Sequence, residues 1–171
     1  MELWDAYTRE GVRTGDVLVR GEEIPAGLYH MVCEVLVQHR NGKFLAMRRA
    51  SSKQAFPGFL ETTAGGSALR GEDKLQCIQR ELLEETGIAC DAFSQIGCTV
   101  SDAENSIFYS FLCTVDSPED SVCLQEGETE GYLWMTREAF LSFIRSDEAI
   151  PTQKKRLLPF VIQLEREQTV R

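Results

Sequence analysis

The chain has 171 residues, enough for one globular domain with a sizeable core. Hydrophobic residues make up 43% and charged residues 26%, an ordinary soluble composition. The net charge of −9 and the lack of a Lys/Arg run argue against a nucleic-acid or membrane surface.

The opening MELWDAYTREG has neither a basic n-region nor an apolar h-region, so no secretory signal is expected. No apolar run approaches the roughly 18 residues of a membrane helix. The six cysteines are Cys33, Cys77, Cys90, Cys98, Cys113 and Cys123. None forms a CxxC and most lie in apolar stretches, which suits buried free thiols in a reducing cytoplasm.

In chain order, residues 3–8 and 16–20 read as short strands around a turn-rich REGVRTG, and 21–27 as a loop. Residues 29–38 are a strong strand. Asn41-Gly42 gives a hairpin turn, because both residues accept positive φ, and 43–49 return as the partner strand. Phe56-Pro57-Gly58 breaks the chain. Another strand is expected at 59–64, ended by Gly65 and Gly66. Residues 74–86 have helical spacing, with Gly87 just past the end. Strands follow at 93–101 and 105–115, then an acidic turn-like stretch at 116–129 and a short strand at 131–135. Thr136 caps a helix to about Arg145. A last helix begins after Thr152, and Pro159 is expected to kink or interrupt it. Antiparallel strands with a few helices make an α+β fold.

The helix at 74–86 crowds like charges. Glu81, Glu84 and Glu85 stand at i, i+3 and i+4, on one arc roughly 100° wide. Leu75, Ile78 and Leu82 form an apolar stripe that borders this arc. The carboxylates therefore sit at the edge of the core. Such neighbours repel by a few tenths of a kcal/mol per pair even in water, and by more when partly desolvated. Arg80 offsets Glu84 but leaves Glu81 and Glu85. Clustered oxygen ligands suit a hard divalent ion, Mg²⁺ or Mn²⁺.

The full pattern runs Gly66, Glu72, then Arg80-Glu81-Leu82-Leu83-Glu84-Glu85-Thr86-Gly87-Ile88. It resembles the Nudix box, Gly-x5-Glu-x7-Arg-Glu-aliphatic-x-Glu-Glu-x-Gly-aliphatic, at every specified position. A chance match at one start site is on the order of 10⁻⁹ from residue usage. The resemblance implies a Nudix fold, a mixed sheet sandwiched between helices, for residues 29–171, with 1–28 as an N-terminal β-hairpin extension. It implies metal-dependent hydrolysis of a diphosphate bond in a nucleoside diphosphate or related small molecule. Glu81, Glu84 and Glu85 would hold the metal, with the Gly65 carbonyl as a further ligand. Arg80 would orient the glutamates. Glu72 would brace the loop or act as an outer ligand. One of the glutamates or a nearby acid would activate water. The chemistry is consistent with these residues, because metal ions screen the diphosphate charge, orient water and lower its pKa.

Outside the box, the family resemblance implies a further glutamate, as metal ligand or base, in the loop before a strand with Trp; of Glu126, Glu128 and Glu130 ahead of Trp134, Glu128 is the choice. Arg48 and Arg49 alternate on a strand, so one can reach a substrate phosphate. Cys77 borders the carboxylate arc, where packing is the better reading than ligation. His30 and His39 lack ligand spacing and are read as structural or surface residues. The segment from Leu3 to Cys90 also looks like the branch related to isopentenyl-diphosphate isomerase. The isomerase needs a cysteine in the strand before the box, and FLETTAGG has none. Hydrolysis is favoured over isomerisation. It is also favoured over a non-catalytic nucleotide-binding module, because no box glutamate is lost. Neither the leaving group nor the oligomeric state is encoded in the box.

Overall fold

The computed structural model describes residues 1–169. An N-terminal hairpin pairs β1 (Leu3–Tyr7) antiparallel with β2 (Arg13–Val19). Tyr7 and Tyr29 exchange two backbone hydrogen bonds of 2.9 Å, and Trp4 stacks on His30 at 4.3 Å. At the hairpin's turn, Arg9 pairs with Asp102 at 2.9 Å, and Tyr29 donates to the same carboxylate at 2.7 Å. The hairpin is thereby fastened to the main sheet at both ends.

That sheet has seven strands: β3 (His30–His39), β4 (Phe44–Arg49), β5 (Leu60–Glu61), β6 (Thr63–Ser67), β7 (Phe93–Ser101), β8 (Ser106–Val115) and β9 (Thr129–Met135). It is mixed. β3 runs parallel to β8 and antiparallel to β6, while β4 is antiparallel to β5 and β9. Side chains alternate across β3. Met31, Cys33, Val35 and Val37 face α1 (Lys74–Thr86) and pack with its Cys77, Ile78 and Leu82. Leu36 faces the other way, toward Phe140 and Ile144 of α2 (Arg137–Arg145) and Leu157 and Val161 of α3 (Pro151–Thr169). The sheet thus lies between helices, and each fully buried Leu, Ile or Phe contributes roughly 1.5–3 kcal/mol. Phe44 stacks on Phe140 at 4.2 Å across that second core. Among the described residues no helix is long and apolar enough to cross a membrane.

Local signals hold where the chain decides alone. Asp73 caps α1 in a reciprocal capping box with Gln76, and Gly87 ends it at φ 70°. Thr136 caps α2 by accepting from Ala139 N–H at 3.2 Å. Long-range packing changes five expectations. The Asn41-Gly42 turn forms, but β3 and β4 are in register only at Gln38 and Phe44. Beyond that point they splay, and residues 60–67 enter the gap, β5 pairing with β4 and β6 with β3. Gly65 and Gly66 do not end a strand; they lie inside β6, because a neighbouring backbone and a side chain fill the space a Cβ would take. Leu75 is 49% exposed, outside the buried face formed by Cys77, Ile78, Leu82 and Thr86. Helix α3 begins at Pro151 and runs through Pro159 without interruption. Both Pro159 and Lys155, whose carbonyl loses its helical partner, are exposed, so the lost bond is not buried. Only Cys33, Cys77 and Cys113 are buried; Cys98 and Cys123 are exposed, and all six are free.

Candidate active site

The site is built where α1 crosses β6. Gly65 lies so close to β3 that a Cβ would stand 2.2 Å from the Cys33 carbonyl oxygen. A Cβ on Gly66 would stand 2.5 Å from Glu81 Oε1. Two residues without side chains therefore let the helix carboxylates rest on strand backbone. Gly65 N–H donates to Glu85 Oε2 at 3.1 Å. Cys77 Sγ donates to the Gly66 carbonyl at 3.6 Å, a packing contact.

Arg80 organises the acids. Its Nη1 donates to Glu81 at 2.7 Å and to Glu84 at 3.2 Å. Its Nε and Nη2 donate to the two oxygens of Glu72 at 2.7 and 2.9 Å, and Nη2 also reaches the Ser67 carbonyl at 3.1 Å. Glu72 accepts Leu69 N–H at 2.8 Å as well. Burial would raise the Glu72 pKa, but these bonds outweigh it and hold the carboxyl below its ordinary value. Glu72 thus braces the loop and anchors Arg80 from behind the cavity wall.

A cavity of about 430 Å³ opens in front of the helix, with Gly65, Gly66, Glu81, Glu84 and Glu85 on one wall. Burial, then the like charges of Glu61 and Glu81, push the Glu85 carboxyl up to about 8 against the lowering effect of Gly65 N–H. Burial also raises Glu81, with Arg80 opposing it. Among the described residues, no three such side chains converge as a ready metal cluster. Glu81 and Glu84 are turned onto Arg80, and Glu85 onto Gly65 N–H. The donor set nevertheless fits a hard divalent cation. Its atoms are carboxylate oxygens, and the burial and mutual repulsion that together raise Glu85 are what such a charge offsets.

Three ion pairs complete the lining. Arg49 is held by Glu61 at 2.7 Å and by the Ala55 carbonyl at 3.1 Å. Lys53 is ion-paired with Glu128, which lines the cavity beside Gln125. Arg20, at the end of the hairpin, pairs with Glu2 at 2.7 Å, and both border the cavity.

Of the residues expected from sequence, Gly65, Arg80, Glu81, Glu84, Glu85, Arg49 and Glu128 meet at this cavity. Arg48 does not. It is exposed on the other face, donating to the Gly58 carbonyl at 2.9 Å, because strand alternation separates it from Arg49. Glu130 is engaged elsewhere, accepting Ser51 N–H at 3.1 Å. His30 is buried against Trp4, and His39 meets Trp134 edge-on, both away from the acids. Glu61, Lys53, Arg20 and Glu2 are additions that sequence spacing did not reveal. Glu61 stands in FLETTAGG itself, and Lys53 closes RRASSK, so their charges were the available signal.

A mixed sheet between helices, with a Gly-Gly strand under an acidic helix that carries the full Gly66–Ile88 motif, is the arrangement of a Nudix-type hydrolase. A family model described as NUDIX domain matches residues 28–159. The chain is 30% identical over 151 residues to the uncharacterised Nudix hydrolase lmo0368 of Listeria monocytogenes, covering 88% of this chain and 89% of the relative. It is 33% identical over 132 residues to the uncharacterised Nudix hydrolase YfcD of Escherichia coli K12, covering 76% and 71%. The solved structure of DR0079 from Deinococcus radiodurans superposes with a TM-score of 0.69 at 22% identity, over 86% of this chain and 91% of that one. The chain belongs to the Nudix hydrolase family, whose members generally use divalent metal ions.

Proposed function

We propose that this protein hydrolyses a diphosphate bond in a nucleoside diphosphate or a related diphosphate-linked small molecule, with Mg²⁺ as the ion and Mn²⁺ as a substitute. The observation that carries the reading is one cavity lined both by the α1 carboxylates and by Arg20, Arg49 and Lys53. In a chain of net charge −9 each of these cations is already paired with a carboxylate, so an anionic substrate would bind by displacing those carboxylates and by sharing the charge of the metal ion.

Glu81, Glu84, Glu85 and the Gly65 carbonyl would hold the ion. When bound, it would neutralise diphosphate charge and acidify water. The chain's own residues bind and orient. Arg49 presents a planar fork for phosphate oxygens, and Lys53 a point charge. Both are neutralised by carboxylates, Glu61 and Glu128, so substrate phosphate replaces one anion with another. Glu128, released from Lys53, takes the proton from the attacking water. Arg80 keeps Glu81 and Glu84 aimed while Glu72 anchors it from behind. Residues 1–28 act as an extension of a catalytic unit at 29–171, closing one side of the cavity with Glu2 and Arg20. The free cysteines suit the cytoplasm. Isomerisation is the weaker reading: β6 offers no thiol, and Cys33 and Cys77 are buried behind Gly66.

The test is a panel of nucleoside diphosphates, dinucleotide polyphosphates, nucleotide sugars and isoprenoid diphosphates with Mg²⁺, products resolved by chromatography. At least one compound should be cleaved at its diphosphate bond, and cleavage should stop in excess chelator. Equal turnover in chelator would remove the metal from the mechanism.

A further inference from the structure

The segment that carries part of the cavity lining changes strand partner at a single residue. Glu61 pairs with β4 through Met47, and Thr63 pairs with β3 through Leu36. Thr62 lies at the switch, in the gap where β3 and β4 have splayed. Its buried N–H is accepted by Gln153 Oε1 on α3 at 3.0 Å, and the same oxygen accepts the Thr62 hydroxyl at 3.1 Å. Gln153 Nε2 donates to Thr63 Oγ1 at 2.6 Å. Gln153 is only 1% exposed, so water cannot stand in for it.

One turn further along α3, Arg156 makes two bonds to Glu34, at 2.9 and 2.8 Å. The Ser110 hydroxyl donates to that carboxylate at 2.7 Å. Glu34 is the register partner of Gly65, so this second anchor lies directly beside the strand that meets α1. A buried ion pair is weak evidence of added stability, whereas a fully bonded polar network fixes one arrangement.

We propose that Gln153 is a positioning residue for the hydrolytic site. It fixes the strand switch at Thr62. It thereby sets the spacing between Glu61, which holds Arg49, and Gly65, which holds Glu85. The C-terminal helix is on this view part of the site's construction, although it lies on the far face of the sheet. The inference rests on the hydrolytic reading above.

The experiment compares wild type, Gln153→Met and Val161→Ala in the full chain. Gln153→Met keeps the length of the side chain and removes its hydrogen bonds. Val161→Ala weakens the same helix's packing without touching the strand switch. Amide hydrogen exchange is read at Thr62 and Gly65, and Mn²⁺ binding by electron paramagnetic resonance. In Gln153→Met, both amides should exchange at least tenfold faster and the Mn²⁺ dissociation constant should rise at least fivefold. In Val161→Ala, Gly65 exchange and Mn²⁺ binding should stay within twofold of wild type. Should Gln153→Met fail to fold, Gln153→Asn withdraws the amide more gently and takes the same measurements. Unchanged Gly65 exchange in the Gln153 variant, or equal acceleration in Val161→Ala, overturns the proposal. A wild type that binds no Mn²⁺ counts against the metal reading alone, and Gly65 exchange still decides the role of Gln153.

Discussion

Gly66→Ala places one methyl group between β6 and the helix. Its Cβ would lie 2.5 Å from Glu81 Oε1, 2.7 Å from Cδ and 2.8 Å from Oε2. To reach ordinary contact near 3.4 Å the carboxylate must retreat by about 0.9 Å. The obstacle is the far end of a flexible side chain, so the fold can accommodate it at about 1–3 kcal/mol, the usual range for overpacking. In a chain of this size that lowers Tm by roughly 2–12 °C. The retreat also pulls Glu81 off Arg80 Nη1, now at 2.7 Å. A misplacement of about 1 Å near the reacting centre costs on the order of a hundredfold in rate. Gly66→Ala should therefore melt cooperatively, yet lose about a hundredfold in kcat on the best substrate of the diphosphate panel. Gly65→Ala is the contrast, since its Cβ meets backbone, the Cys33 oxygen at 2.2 Å and the Glu34 Cα at 2.7 Å. It must prise β6 from β3 and should cost far more stability. Circular dichroism and steady-state kinetics measure both. Wild-type turnover in Gly66→Ala, or a Gly65→Ala protein as stable as Gly66→Ala, would refute the reasoning.

Two further outcomes follow from the acids. Glu81→Gln keeps size and can still accept from Arg80, but removes the charge; turnover should fall at least about a hundredfold while the melting temperature in chelator does not drop. Wild-type rates in a folded Glu81→Gln protein would take Glu81 out of the site. Glu85, pushed up to about 8, binds its proton more tightly folded than unfolded. In chelator its contribution favours the folded state fully below its unfolded pKa, near 4.5, and is lost as pH rises to about 8. Urea titrations of wild type and Glu85→Gln across that range should show a steeper loss of stability with rising pH in wild type than in the variant, where only Glu81 remains raised; parallel profiles would contradict the assignment.

The acidic helix was legible because its determinants are local. Glu81, Glu84 and Glu85 share an arc by helical geometry, and Gly87 marks the end of α1. The cations lining the same cavity were only half legible. Strand alternation separated Arg48 from Arg49 but did not say which faced the site. Arg20 and Lys53 arrive from a hairpin and a loop whose positions depend on contacts far along the chain. The glycine pair shows how the signal inverts. In isolation Gly65-Gly66 reads as a break. Within the fold the same residues continue a strand, because β3 and Glu81 occupy the space where side chains would be. Leu75 was misplaced for a related reason: periodicity defines a stripe, but only the neighbouring sheet determines which part of it is covered.

The most direct measurement of the central claim is the fate of solvent oxygen. Water, not a protein side chain, is the proposed nucleophile. The protein with Mg²⁺ and a cleaved diphosphate compound in ¹⁸O-labelled water should place one ¹⁸O in a phosphate product. Given isopentenyl diphosphate under the same conditions, it should form no dimethylallyl isomer. Turnover with no label in any phosphate, or formation of the isomer, would contradict hydrolysis at this site.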